Sequence, residues 1–209
     1  MGLREKLKLV VITDKKLKPD VVKSVEDALR GGATSIQLRL KESPAREMVE
    51  VGRVVRRLTR EYGALYFVDD RLDVALVTDA DGVQLGPEDI PIRAAREAAP
   101  NLIIGASVYS LEEALRAEEE GADFLGAGSV YPTASKPGVR VIGVEGLRRI
   151  VESVKIPVVA IGGISRDNAR EVLRTGVAGI AVISAVMGAD DVYKATLELR
   201  RIVDEVLGQ

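Results

Sequence analysis

The stretch Gly31-Gly32-Ala33-Thr34-Ser35-Ile36-Gln37-Leu38-Arg39-Leu40-Lys41 opens on a glycine pair and then alternates apolar and polar residues. A period of two marks a β-strand, whose successive side chains point to opposite faces. Ile36, Leu38 and Leu40 share one face, and Gln37, Arg39 and Lys41 share the other. An ordinary half-exposed strand would leave that polar row in water. The neighbouring apolar runs read as strands buried on both faces, which weakens that reading and favours an inward-facing row. Inward cations need an anion to offset their desolvation. The strand is therefore expected to reach into a site for a phosphorylated ligand.

Outward from this strand, apolar β-type runs alternate with amphipathic helical runs. Strand patterns fall at Leu9–Thr13, Ser35–Leu40, Leu65–Asp69, Gly82–Leu85, Ile103–Ser107, Phe124–Val130, Val158–Ile161 and Gly179–Ser184. Helical patterns include Asp20–Arg30, Ala45–Tyr62, Ile92–Ala99, Leu111–Glu120, Val144–Ser153, Asp167–Arg174 and Val192–Val206. Eight strands with interleaved helices predict an α/β fold, a single (β/α)8 TIM barrel spanning residues 1–209 as one domain. The alternative is an open doubly wound sheet. It usually carries a glycine-rich turn after its first strand, where this chain has Asp14-Lys15-Lys16-Leu17.

Composition removes several functions. A formal net charge of -2 argues against a nucleic-acid partner. No apolar run approaches the roughly 18 residues of a membrane span, and no N-terminal cleavage signal is present, so a cytoplasmic protein with no membrane partner is expected. The chain has no cysteine and no histidine. Thiolate and imidazole chemistry are thus excluded, and any metal must be held by oxygen, which favours Mg²⁺ or Mn²⁺. The helical run with Arg53, Arg56, Arg57 and Arg60 has Glu47, Glu50 and Glu61 nearby and reads as a solvated face. The Leu/Val stripe in Tyr193–Leu207 should pack on the barrel, or contribute to a homo-oligomer.

In a barrel, function is read at the C-terminal strand ends. Gly162-Gly163 after the seventh strand and Ser184 after the eighth match a barrel phosphate site, although glycines there also serve turns needing φ > 0. Asp70 and Asp89 could hold a hard cation, or act separately as a helix cap and a turn cap near Pro91. Lys136 lies in a Thr/Ser/Pro/Gly loop that either closes over a ligand or stays solvated.

Several blocks, taken together in order and spacing, match one family. They are Gln37-Leu38-Arg39-Leu40-Lys41, Asp70-Arg71, Ala80-Asp81-Gly82-Val83 with Leu85-Gly86 and Asp89, and Pro132-Thr133 with Lys136. Pro157 to Ile164 and Ala181-Val182-Ile183-Ser184-Ala185 complete the set. The chain resembles thiamin phosphate synthases along nearly its whole length. That resemblance implies a small TIM barrel joining an aminopyrimidine-methyl pyrophosphate to a thiazole phosphate, with Mg²⁺. It assigns Arg39, Lys41 and Lys136 to the pyrophosphate, with Ser107 close by, and Asp70 and Asp89 to the metal. Gln37 and Asp69 would contact the aminopyrimidine. Thr133, Ser135, Gly163, Ile183 and Ser184 would receive the thiazole phosphate. The runs Gln37 to Lys41 and Thr133 to Lys136 count as substrate-binding throughout, which adds Leu38, Leu40 and Ala134.

The chain departs from the usual family pattern at four positions. Asp69 stands where Asn is usual, and an ionised Asp only accepts hydrogen bonds. Gln84 and Tyr109 replace residues that are often His, and Ser135 replaces a Thr. A thiazole tautomerase relative relies on a histidine that this chain lacks. A non-catalytic thiazole phosphate-binding barrel would have no use for Asp70 and Asp89.

Overall fold

The structure is a computed structural model that describes residues 2–135 and 137–208. Among these, eight parallel strands close in sequence order into a barrel. They are β1 (Leu9–Ile12), β2 (Ser35–Leu38), β3 (Leu65–Asp69), β4 (Gly82–Leu85), β5 (Ile103–Val108), β6 (Phe124–Ala127), β7 (Val158–Ile161) and β8 (Gly179–Val182). Helices surround them: α1 (Leu3–Lys6), α2 (Val21–Arg30), α3 (Ala45–Glu61), α4 (Leu72–Val77), α5 (Ile92–Ala98), α6 (Leu111–Glu119), α7 (Gly143–Ser153), α8 (Ala169–Leu173), α9 (Ser184–Met187) and α10 (Val192–Leu207).

The expected barrel is what the chain forms, with differences at element ends. The run predicted to Leu40 stops as a strand at Leu38, because a side chain takes over the pairing. Thr13 Oγ1 accepts from the Arg39 N–H and donates to the Arg39 carbonyl, both at 2.9 Å. The predicted Phe124–Val130 strand ends at Ala127, after which Val130 and Tyr131 donate to the Ile161 and Gly162 carbonyls. Helices α1, α4 and α9 were not foreseen; they are 4, 6 and 4 residues long, too short to display a period. The apolar stripe of α10 packs inward through Leu199, Ile202 and Val203, against α2, α8 and β1.

Two apolar regions follow from strand alternation. Outward residues such as Ile36, Leu38, Val68, Leu85 and Leu125 meet the helices in one core. Inward residues fill the barrel in layers taken from alternate strands, as the closed geometry requires. Val10, Phe67 and Val159 from odd strands meet Phe124 from an even one. The Phe67 and Phe124 rings lie edge-to-face at 5.3 Å. Their bulk depends on inward glycines: a Cβ on Gly82 would lie 2.7 Å from the Phe67 ring, and one on Gly105 would collide with Phe124.

The lower rim, at the strand N-termini, shows a repeated brace. Thr34, Asp81 and Asp123, each just before an even-numbered strand, accept from the Leu9, Tyr66 and Ile104 N–H groups of the preceding odd strands at 2.8–2.9 Å. This corrects the reading of Arg56 as part of a solvated face. Arg53, Arg57 and Arg60 are exposed, but Arg56 is buried and donates to Asp81 at 2.7 Å. Arg96 holds Asp123 in the same way at 2.6 Å. A carboxylate that accepts from two sides orders the brace.

Phe124→Ala should cost about 3–5 kcal/mol through loss of buried area and the cavity left inside the barrel. Equilibrium denaturation would show it as a lower midpoint with little change in slope.

Candidate active site

A cavity of about 270 Å³ opens at the C-terminal mouth and is lined by residues from all eight strands. Its walls differ chemically. Strands β2 to β5 present Gln37, Asp69, Gln84 and Ser107, whereas β7, β8 and β1 present Val159, Ile161, Ala181 and Ile12. Phe124 contributes to the floor.

The polar wall is built around Asp69. This carboxylate accepts from Gln37 Nε2 at 2.7 Å. Arg39 lies 3.9 Å away and Lys41 3.6 Å away. Arg39 also faces Asp14 at 3.5 Å, and Lys41 bonds Asp70. Burial, and after it the charge of Asp70, pushes the Asp69 carboxyl up to about 6, against the pull of Lys41 and Arg39. Burial pulls the Lys41 ammonium down, yet the Asp70 hydrogen bond and the charges of Asp69 and Asp70 outweigh it and leave Lys41 raised.

Asp70 adopts a left-handed backbone with φ 65°, which Asp tolerates better than most residues. Its N–H donates to the Gln84 carbonyl at 2.9 Å. It does not cap α4, whose N-cap is Arg71. Asp89 accepts from the Gly86 N–H at 2.6 Å and so closes the turn after β4. Burial raises the Asp89 carboxyl; the Gly86 N–H opposes this, and the adjoining Asp70 adds to it. Two touching carboxylates disfavour each other's charge, and a cation between them would relieve that. Among the described residues no group of three or more acidic side chains forms a metal cluster. Paired carboxylate oxygens are the donor type that suits a hard ion such as Mg²⁺.

The opposite side of the mouth is a backbone corner. Gly162 and Gly163 have φ of 102° and 65°, and a Cβ on Gly163 would lie 2.7 Å from the Pro132 carbonyl. The β6–α7 loop thus packs directly on this turn. Asn168 ties the turn from below: its Nδ2 donates to the Gly163 carbonyl and its Oδ1 accepts from the Ser165 N–H, both at 2.9 Å. Thr133, Ser135, Gly163, Ile183 and Ser184 all line the cavity here.

Of the residues expected at the site, Gln37, Arg39, Lys41, Asp69, Asp70 and Ser107 line the same cavity as this corner. Asp89 stands behind Gly86. Leu38 and Leu40 do not belong to it as side chains; both are buried in the outer core, as alternation requires. Ala134 is not among the lining residues, and Lys136 lies outside the described residues. Sequence reasoning missed Thr13, Asp14 and Asn168 as parts of the site. Thr13 and Asp14 were legible as polar residues ending a strand. Asn168 was legible as an amide five residues after a glycine pair.

The sequence matches the Thiamine monophosphate synthase family over residues 9–186. It is 74% identical to the thiamine-phosphate synthase of Pyrococcus furiosus over 208 residues, 100% of each chain. It is 49% identical to the thiamine-phosphate synthase of Methanococcus maripaludis over 207 residues, covering 99% of this chain and 100% of that one. The structure superposes on the solved thiamine phosphate pyrophosphorylase from Pyrococcus furiosus with a TM-score of 0.96 at 73% identity, over 99% of this chain and 100% of the other.

Asn168→Ala would release the Gly163 turn. Loss of its two side-chain bonds should lower folding stability by about 1–3 kcal/mol, read as a lower midpoint in equilibrium denaturation.

Proposed function

The chain belongs to the thiamine monophosphate synthase family, and from that premise we propose how its barrel mouth couples an aminopyrimidine-methyl pyrophosphate to a thiazole phosphate, giving thiamin phosphate and pyrophosphate. The observation that carries this reading is one cavity with cations at one end and a glycine corner at the other. One end has Arg39 and Lys41 beside Asp70, with Asp89 behind Gly86, and the other is the Gly162-Gly163 corner with Ser184. A single phosphate sensor would need only the second.

The C–O bond between the pyrimidine methylene and pyrophosphate breaks first, and its electron pair leaves with the pyrophosphate oxygen. The electron-rich aminopyrimidine stabilises the remaining carbocation. The thiazole nitrogen then donates its lone pair to form the new C–N bond. No proton need be taken from the nucleophile, which agrees with a chain lacking histidine.

Arg39 and Lys41 would neutralise charge gathering on the leaving group, with Lys136 assigned alongside them by resemblance. Asp70 and Asp89 would hold Mg²⁺, which when bound supplies further charge neutralisation at the pyrophosphate. Gln37 and Asp69 would orient the aminopyrimidine: Asp69 accepts from its exocyclic amine, and Gln37 fixes the carboxylate. Thr133, Ser135, Gly163, Ile183 and Ser184 would hold the thiazole phosphate against the apolar wall. The apolar wall and floor would limit the water able to intercept the cation.

Purified protein given both substrates and Mg²⁺ should form thiamin phosphate, scored as fluorescent thiochrome after oxidation. EDTA should abolish product, and Asp70→Asn should lower kcat by about 10²–10³. Absence of product from a folded protein that still binds thiazole phosphate would leave a non-catalytic binding barrel instead.

A further inference from the structure

Gln84 sits among the reacting groups without a task of its own. It projects inward from β4, is only 6% exposed, and its Nε2 donates to Ser107 Oγ on β5 at 3.1 Å. The barrel is hollowed to make this reach possible. A Cβ on Gly105 would collide with Gln84 Oε1, and one on Gly126 would come within 3.0 Å of Nε2. Both glycines are inward positions on neighbouring strands: Gly105 is in register with Gln84, and Gly126 with Ser107. Gly82 and Gly105 also clear space for phenylalanine rings, but Gly126 meets only Gln84 side-chain atoms and the Ala106 carbonyl.

The direction of the bond matters. An amide NH₂ can only donate, whereas a serine hydroxyl has one proton and two lone pairs. While Ser107 accepts from Gln84, its own proton is directed elsewhere. Ser107 lines the cavity, as do Arg39 and Lys41. We propose that Gln84 is a positioning residue that holds the Ser107 hydroxyl as a hydrogen-bond donor to the departing pyrophosphate. The inference rests on the reaction proposed above. A hydrogen bond to the leaving oxygen strengthens as charge gathers there, so it lowers the barrier more than it tightens the ground state. A serine turned back to donate to a glutamine carbonyl would face the anion with a lone pair and oppose departure.

The test is a double-mutant cycle with Ser107→Ala. Gln84→Met keeps the bulk and removes the donor; Gln84→Glu keeps the shape and, when ionised, offers only an acceptor. Each single variant should lower kcat roughly ten- to a hundredfold. KM should move by less than about threefold, the mark of an interaction made in the transition state. The double variant Gln84→Met/Ser107→Ala should be no slower than Ser107→Ala alone. Losses that multiply, or wild-type kcat in Gln84→Glu, overturn the proposal. Thermal unfolding near the wild-type midpoint identifies the variants that fold, and either glutamine variant suffices. The same cycle is read on calorimetric binding of inorganic pyrophosphate with Mg²⁺. If the wild type makes no thiamin phosphate, the reaction proposed above fails, yet this second cycle still decides: weakening that does not add supports Gln84 acting through Ser107. Weakening that adds, or none, overturns it.

Discussion

Two aromatic rings crossing inside a closed ring of parallel strands support everything above them. The chain contains only two phenylalanines, and both point into the barrel, where they meet edge-to-face. An eight-stranded barrel has an interior just wide enough for side chains to fill. Large residues on some strands therefore require small ones on their neighbours, and Gly82 and Gly105 meet that need. The result is a dry floor beneath the mouth. Polar groups set on such a floor interact more strongly than they would in water, and leaving any of them unpaired costs more.

That cost explains the charge arrangement. Arg39 and Lys41 enter the mouth facing Asp14, Asp69 and Asp70, so each cation has a carboxylate within 4 Å. In the reaction proposed above, an anionic ligand arriving at this wall would exchange partners with charges already present. Gln37 is bonded to Asp69, and Thr13 is bonded twice to the Arg39 backbone. Order here comes from short-range hydrogen bonds to backbone and amide groups together with the ion pairs of the charged heads.

Much of this was legible because strand alternation and barrel topology are local codes. The Gln37/Arg39/Lys41 face, the Gly162-Gly163 turn and the Asp70 and Asp89 positions could be read from residue type and place in a strand end. What escaped depended on contacts between distant segments. Arg56 looks like its neighbours along α3, and only the docking of that helix on the rim next to Asp81 turns it inward. Asn168 carries no periodic signal, since its role is to tie back a turn five residues earlier. The partnership of Gln84 with Ser107 spans 23 residues and needs the strand register to appear. Leu38 and Leu40 show that within one run alternation sends half of the side chains to the other face.

The rim braces set the size of the module from which this barrel can be recombined. Thr34, Asp81 and Asp123 recur at every second strand, and Ala178, at the fourth such place, offers no acceptor. The inward layers also alternate between odd and even strands. A graft or deletion of one strand and one helix would exchange the two layers and leave a brace facing the wrong neighbour. A graft of two strands with their helices would preserve both. In this barrel the repeating piece is a quarter of the ring, braced in three of the four quarters.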